Sequence, residues 1–307
     1  MKVRAIYIVV LSVMLAVFLL GAATTEIYFT MTDPAGDEHG YGTYQYPTNI
    51  SFQPYQGLFD ILQFQVKAGP VGFAYFDTSF RRMANPWAAP EGFIHQNLRI
   101  FIDTIPNQGA VVLPERGASV RFNPKYAWDV CLKVVGWGNS QLITVTNGAL
   151  QVKPLKVELL GDGQTIRAEV PENIIGKPSS NWHYYVLVGS YDGFGEDFFR
   201  KVAPKPGEWV IGGGTGEDID PRVMDLLALA KGKHRQENQL QSFDPETRQL
   251  AELYPVGRDL TEFNLQVWVL GVLFALIIGV LIYILKRKRW GISWFWVKNN
   301  KNNISGG

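Results

Sequence analysis

Phe59-Asp60-Ile61-Leu62-Gln63-Phe64-Gln65-Val66 is followed, after Lys67-Ala68-Gly69-Pro70, by Val71-Gly72-Phe73-Ala74-Tyr75-Phe76. Two short runs rich in Val, Ile, Phe and Tyr, parted by turn formers, read as two β-strands. The same pattern recurs outward from them at Leu98 to Ile102, Leu132 to Val135, Leu142 to Thr146, Val157 to Leu160, Thr165 to Val170 and Tyr184 to Gly189. Gly, Pro, Asn and Asp break the runs, and helical periodicity is almost absent. Strands of this length with turns between them predict an all-β, two-sheet sandwich. One stretch, Val223 to Ala230, sets Val223, Leu226, Leu227 and Ala230 on one helical face, so a short C-terminal helix is expected there. The sandwich domain is placed at residues 24–241. The polar stretch from Lys231 to Asn264 has too few apolar residues for a second core, and residues 242–264 are expected to form a partly ordered juxtamembrane stalk.

Composition narrows the function classes. The chain has 307 residues with 29 basic and 28 acidic side chains, so no net field draws it to nucleic acid. Nine Trp are many for this length, but sandwich cores and sugar-binding surfaces both use such rings. Cys131 is the only cysteine and cannot form an internal disulfide. For an exported protein, stability must then come from packing, metal ions or the cell-wall setting.

Export is expected from both ends. Met1 to Arg4 is a basic start, Ala5 to Leu20 an apolar run, and Gly21-Ala22-Ala23 supplies small residues before Thr24. Residues 1–23 therefore read as a signal peptide cleaved after Ala23, with an uncleaved signal anchor as the alternative. Leu265 to Leu285 carries no charge and would span roughly 30 Å as a helix, enough for one membrane crossing. Lys286-Arg287-Lys288-Arg289 follows at once, which puts the tail 286–307 in the cytoplasm and the sandwich outside. Trp268 on one side and Trp290, Trp294 and Trp296 on the other suit the headgroup layers.

Asp33-Pro34-Ala35-Gly36-Asp37-Glu38-His39-Gly40-Tyr41-Gly42-Thr43-Tyr44-Gln45-Tyr46-Pro47-Thr48 resembles the opening of the C-terminal domain of glucodextranase. The likeness continues in order through Phe59-Asp60-Ile61, Asn85-Pro86-Trp87, Gly92-Phe93 with Gln96, Ile102-Asp103-Thr104, Val120-Arg121-Phe122 and Trp128-Asp129. Gly136-Trp137-Gly138, Val170-Pro171, Gly189-Ser190-Tyr191-Asp192-Gly193-Phe194-Gly195, Arg200 and Gly212-Gly213-Gly214 complete it, covering roughly Ile27 to Gln241. The resemblance implies a jelly-roll-like sandwich similar to family-nine-type carbohydrate-binding modules and DOMON-type domains. Related domains occur beside catalytic domains of pullulanase-like surface enzymes and in stand-alone archaeal surface proteins. The resemblance implies a non-catalytic module that holds polysaccharide or cell-envelope glycan, and as a departure from those enzymes no catalytic domain is expected beside it here.

Candidate site residues fall into two groups. Sugar binding needs a flat exposed ring against a pyranose and polar groups for its hydroxyls. Trp87, after Asn85-Pro86, and Trp137, between two glycines, are the candidates, with Gln96, Arg121 and Asp129 as polar partners. Alternatively, both rings plug the ends of the sandwich and Arg121 pairs with Asp129 or Asp103 inside it. Asp33, Asp37 and Glu38 lie close in a loop that Pro34 and Gly36 let curl, and hard oxygens at that spacing suit calcium, with Asp60 closing the site. The other reading makes Asp33 a turn cap and Asp37 an Asx-turn, with His39 hydrogen-bonded in the loop. The turn Asp192-Gly193-Phe194-Gly195 either ends a strand or joins a ligand site.

GxSxG, HExxH, CxxC and Walker patterns are missing, and Glu217 and Asp218 after Gly212-Gly213-Gly214 would repel phosphate. An enzyme is not expected. Asn49-Ile50-Ser51 is a glycosylation acceptor pattern in the exported part, whereas Asn303-Ile304-Ser305 should stay bare. Two competing roles remain: an envelope protein that meets a surface layer or a partner glycoside hydrolase, and an electron carrier, implied by the likeness to DOMON-type sandwiches that hold haem between a Met and a His or Lys, for which Met83, His95 and His183 are the hints.

Overall fold

In the computed structural model, which describes residues 25–113, 116–146, 148–261 and 278, two antiparallel sheets face each other across one core. The first joins β1 (Ile27–Thr32), β2 (Ile61–Ala68), β3 (Phe73–Phe80), β10 (Thr165–Pro171) and β9 (Lys156–Leu159) in that order. The second runs β12 (Asp225–Leu226), β11 (His183–Ser190), β4 (Gln96–Asp103), β6 (Val130–Val134), β7 (Gln141–Thr146), β8 (Ala149–Pro154), and β14 (Val256–Gly257) also pairs with β11. A parallel pair, β5 (Val120–Phe122) with β13 (Ala251–Leu253), stands apart.

The first sheet is one-sided. Phe64 and Val66 of β2 and Ala74 and Phe76 of β3 are buried, while Gln65, Lys67 and Tyr75 alternate with them and keep partial exposure. This is the period-two alternation of a sheet with one wet face. On that outer face Asp77 accepts both ends of the Arg167 guanidinium at 2.8 Å each and the Lys67 ammonium at 2.7 Å, tying β2, β3 and β10 together.

The second sheet is covered on both sides. Every residue of β4 and β11 is buried. Adjacent tyrosines show how: the Tyr184 ring lies 4.9 Å from Phe29 and 5.4 Å from Phe64 in the first sheet, while the Tyr185 ring lies 4.9 Å from Phe122 on the other side. Phe101 likewise meets Phe122 at 4.5 Å and Trp128 at 5.2 Å. Burying one such tyrosine removes about 200 Å² from water, an upper bound of about 5 kcal/mol each. Polar residues on the outer face of β4 need partners. Arg99 meets the Asp197 carboxylate at 3.0 Å, and the same carboxylate takes Lys133 from β6 at 2.5 Å.

Each of the expected strands is present, displaced by a few residues at most, and β1, β5, β8 and β12 to β14 are additional. Two expectations are corrected. Val223 to Ala230 is not a helix: Asp225 and Leu226 form β12 on β11, and Val223 through Ala228 are all buried. A segment buried on every side loses the amphipathic pattern that distinguishes helix from strand. The short helix near this end is α2 (Gln236–Leu240), after α1 (Glu172–Ile175) and before α3 (Arg258–Thr261). The stretch expected as a stalk packs on the sandwich as far as the structure describes it, with Ala251, Leu253 and Val256 buried and their strands paired to β5 and β11. Few apolar residues suffice because they add to an existing core.

These strands belong to the unit that ends at Thr261. Among the described residues no helix is long and apolar enough to cross a membrane. The expected signal 1–23, the tail 286–307 and the expected span 265–285 apart from Ile278 lie outside the described residues. Cys131 is buried, and burial pushes its thiol up to about 12.

Candidate functional site

At the end of the second sheet where β11 stops and β4 begins, four loops enclose a cavity of about 460 Å³. Trp87 comes from the β3–β4 loop, Trp137 from the β6–β7 turn, Tyr191 to Phe194 from the exit of β11, and Trp209 from the loop before β12. The three indoles are 46%, 45% and 39% exposed, so each is half lodged in the fold and half open to the cavity and solvent. The rings of Trp87 and Trp209 stand 6.0 Å apart and tilted by 40°.

Local chemistry fixes each ring. Asn85 accepts from Ala89 N at 2.7 Å and donates to Ala89 O at 2.8 Å, closing the turn that carries Trp87. Trp137 has φ of 61°, a left-handed backbone that a bulky residue adopts only under strain. The Glu91 carboxylate holds it there by accepting from Trp137 N at 2.9 Å and Gly138 N at 2.7 Å. A side chain at Gly136 would meet the Phe93 carbonyl at 2.7 Å, so only glycine lets this turn approach. Strained backbone held by its surroundings concentrates at ligand sites.

Arg200 is the hub. Only 6% exposed, it donates to Ser190 Oγ at 3.0 Å, Trp209 O at 2.8 Å and Tyr191 O at 2.5 Å, and lies 3.6 Å from Asp192. Its guanidinium sits 5.4 Å from the Phe52 and Trp209 ring centres, and burial draws its pKa down. The His95 ring packs tilted against Phe52 at 4.5 Å and Trp87 at 5.6 Å between centres. Burial lowers its pKa to about 4, so it is neutral near pH 7. Asp192 accepts from Phe194 N at 3.1 Å, so its turn both ends the strand and lines the cavity.

Trp87 and Trp137 are thus brought together as expected, and their polar partners are not those expected. Gln96 is fully buried and donates to Leu58 O at 2.6 Å; alternation along β4 turns it inward and gives the cavity His95 instead. Asp129 accepts from Thr104 N at 2.8 Å and Ile105 N at 3.0 Å at the far end of β4, about 24 Å from Gln96 along an eight-residue strand. Arg121 pairs with Glu252 of β13, not with Asp129 or Asp103. Trp209 and Arg200 complete the cavity. Trp209, in Pro206-Gly207-Glu208-Trp209, sits beside turn formers just as Trp87 and Trp137 do, a signal that could have found it.

The acidic loop divides in two. Glu38 turns inward and accepts from Tyr46 Oη, Gly57 N and Phe59 N, so it braces a turn rather than facing a ligand. Asp33 and Asp37 meet Asp225, which the sequence reading did not nominate, with one oxygen from each within 4.8 Å of the others. Burial, then the neighbouring carboxylates, pushes Asp33 up to about 9 and Asp37 up to about 6, and Asp225 well above the ordinary range. Asp60 accepts from Gly36 N at 2.9 Å and lies 3.6 Å from Arg81. His39 contacts the Tyr44 carbonyl at 3.3 Å.

Asn49, half buried, accepts from Ser51 N at 3.0 Å and donates its amide nitrogen to Glu208 at 2.9 Å. His183 lies between Asp103 and Asp259 at 3.1 Å each, at the opposite end of β4 from His95, so these two histidines cannot share one haem.

Residues 28–255 match the family described as the C-terminal binding-module, SLH-like, of glucodextranase. No curated protein matches the chain.

Proposed function

Since the chain belongs to the family of C-terminal, SLH-like binding modules of glucodextranase, we propose that it is a non-catalytic module that holds polysaccharide or cell-envelope glycan in the cavity of Trp87, Trp137 and Trp209. The observation that carries this reading is three half-exposed indoles converging on one cavity from three loops. Indole faces cover the apolar face of a pyranose, and Asp192 can accept from its hydroxyls. A cavity of about 460 Å³ falls within the usual small-ligand range of roughly 300–1,000 Å³.

The location belongs to the same proposal. Export through residues 1–23 and a single span at 265–285, with the basic tail 286–307 inside, would place the cavity at the outer cell surface. Protease added to intact cells should remove the sandwich while sparing the tail; an untouched sandwich would reverse the topology.

Glycan-array and polysaccharide pull-down of the full chain test the ligand. Covering about 55 Å² of one indole at about 25 cal/mol/Å² is worth about 1.4 kcal/mol, so Trp87→Ala or Trp209→Ala should each weaken binding about tenfold. No binding to α-glucans, cell-wall glycans or glycoprotein sugars would remove the proposal.

A second reading, contact with a surface layer or a partner glycoside hydrolase, is favoured by β8. That strand is exposed throughout and ends the second sheet, with Leu150 at 44% and Val152 at 54% exposure. Such an edge suits strand addition by a partner. Cross-linking in intact cells separates the two, because this reading requires a fixed protein neighbour with or without sugar.

A further inference from the structure

The loop that leaves β1 at Thr32 belongs to the first sheet, and β12 belongs to the second. Asp33, Asp37 and Asp225 meet where these elements touch, and Asp33 Oδ1 is fixed by accepting from Ala228 N at 3.0 Å. Asp225 is fully buried, held by Ile61 N at 2.7 Å and Leu226 N at 2.7 Å, and Asp33 is only 9% exposed. The remaining oxygens are unusual: Asp33 Oδ2 and Asp37 Oδ1 are buried without a hydrogen-bond partner.

A separate residue points to the same ligand. Asp60, just before β2, is 0% exposed and lies outside the group of three. Its Oδ2 accepts from Gly36, between Asp33 and Asp37, while its Oδ1 is buried with no partner. That bond ties Asp60 to the loop that carries Asp33 and Asp37, so its carboxylate lies against the cluster. A buried carboxyl oxygen without a donor is costly unless a proton neutralises the group or a cation takes that place, and the cation serves all of these oxygens at once.

We propose that Asp33, Asp37 and Asp225 ligate one calcium-type cation, with Asp60 as the carboxylate behind them, and that the ion staples β1 of one sheet to β12 of the other. The donors are all hard oxygens, which suits calcium rather than zinc or copper. Oxygens on opposite sides of a calcium ion, each at about 2.4 Å, lie about 4.8 Å apart, the limit within which the three carboxylates place one oxygen each. Magnesium demands tighter octahedral geometry and keeps its waters, so it fits buried carboxylates less well. The staple joins segments far apart in the chain, a task that Cys131 alone cannot perform by disulfide.

The test uses the full chain, stripped with chelator and dialysed against calcium or magnesium. Metal analysis should give about one calcium per chain, and the thermal midpoint should rise with calcium more than with magnesium. Asp37→Asn, at the more exposed corner, should weaken calcium binding at least tenfold, and Asp225→Asn should abolish it. Asp218→Asn, in an exposed pair with Arg116 and Arg248, should leave it unchanged. If Asp225→Asn does not fold, Asp37→Asn decides alone. No calcium uptake at millimolar concentration, or Asp37→Asn titrating like the unaltered chain, would overturn the proposal.

Discussion

Replacing Arg200 by Lys keeps the charge and removes the fork. The guanidinium spans Ser190 Oγ, Trp209 O and Tyr191 O at 2.5 to 3.0 Å, three acceptors in different directions. An ammonium on a shorter reach can satisfy one carbonyl, leaving the hydroxyl and the other carbonyl without this donor. Two lost hydrogen bonds to a charged group would cost about 3–6 kcal/mol, and water reaching the half-exposed Trp209 loop lowers this to about 2–4 kcal/mol. That is a large share of a typical stability of about 5–15 kcal/mol. Denaturant unfolding of the full chain, followed by near-ultraviolet circular dichroism, measures the loss. Glycan affinity should fall with it, because the Trp209 carbonyl is one of the anchored groups. A loss below about 0.5 kcal/mol would refute Arg200 as the group that sets the cavity.

Trp137→Gly relieves the left-handed backbone at φ 61° by about 1 kcal/mol but gives up the lodged half of the indole, about 100 Å² and so about 2.5 kcal/mol; stability should fall by about 1–2 kcal/mol and glycan binding with it, and unfolding and binding measured on the same preparation check both halves. Asp197→Asn removes the carboxylate that pairs Arg99 and Lys133, both nearly buried, and should cost about 3–5 kcal/mol in the same unfolding assay. His95 has its folded-state pKa at about 4, below the ordinary 6.5, so the unfolded chain binds more protons between those values. Stability contributed by neutral His95 is therefore complete above pH 6.5 and is lost as pH falls toward 4, by about 3 kcal/mol in total. His95→Gln should flatten that part of the stability curve, and an unchanged slope between pH 6.5 and 4 would refute the assignment.

Strands such as Phe73–Phe80 were legible because a strand's burial pattern is a local property of successive side chains. Trp87 and Trp137 were legible as partly exposed rings because turn formers beside them keep large residues out of the core. Local pattern went no further. Val223 to Ala228 mimicked a helical face because burial on all sides removes the polar positions that set the period. Glu38 carried the right chemistry for a cation, yet Tyr46, Gly57 and Phe59 claim its oxygens from elsewhere in the fold. Arg121 and Asp129 suited sugar hydroxyls by type and lie away from the cavity, each engaged by partners of its own.

The sequence by itself determined the two-sheet class and the aromatic richness of its loops, since both follow from residue type and spacing along the chain. Only the tertiary structure decided that Trp209 completes the cavity, that Arg200 fixes it, and that Asp225 meets Asp33 and Asp37. Those meetings depend on strand order and register, which bring together residues whose separation along the chain carries no trace of their contact.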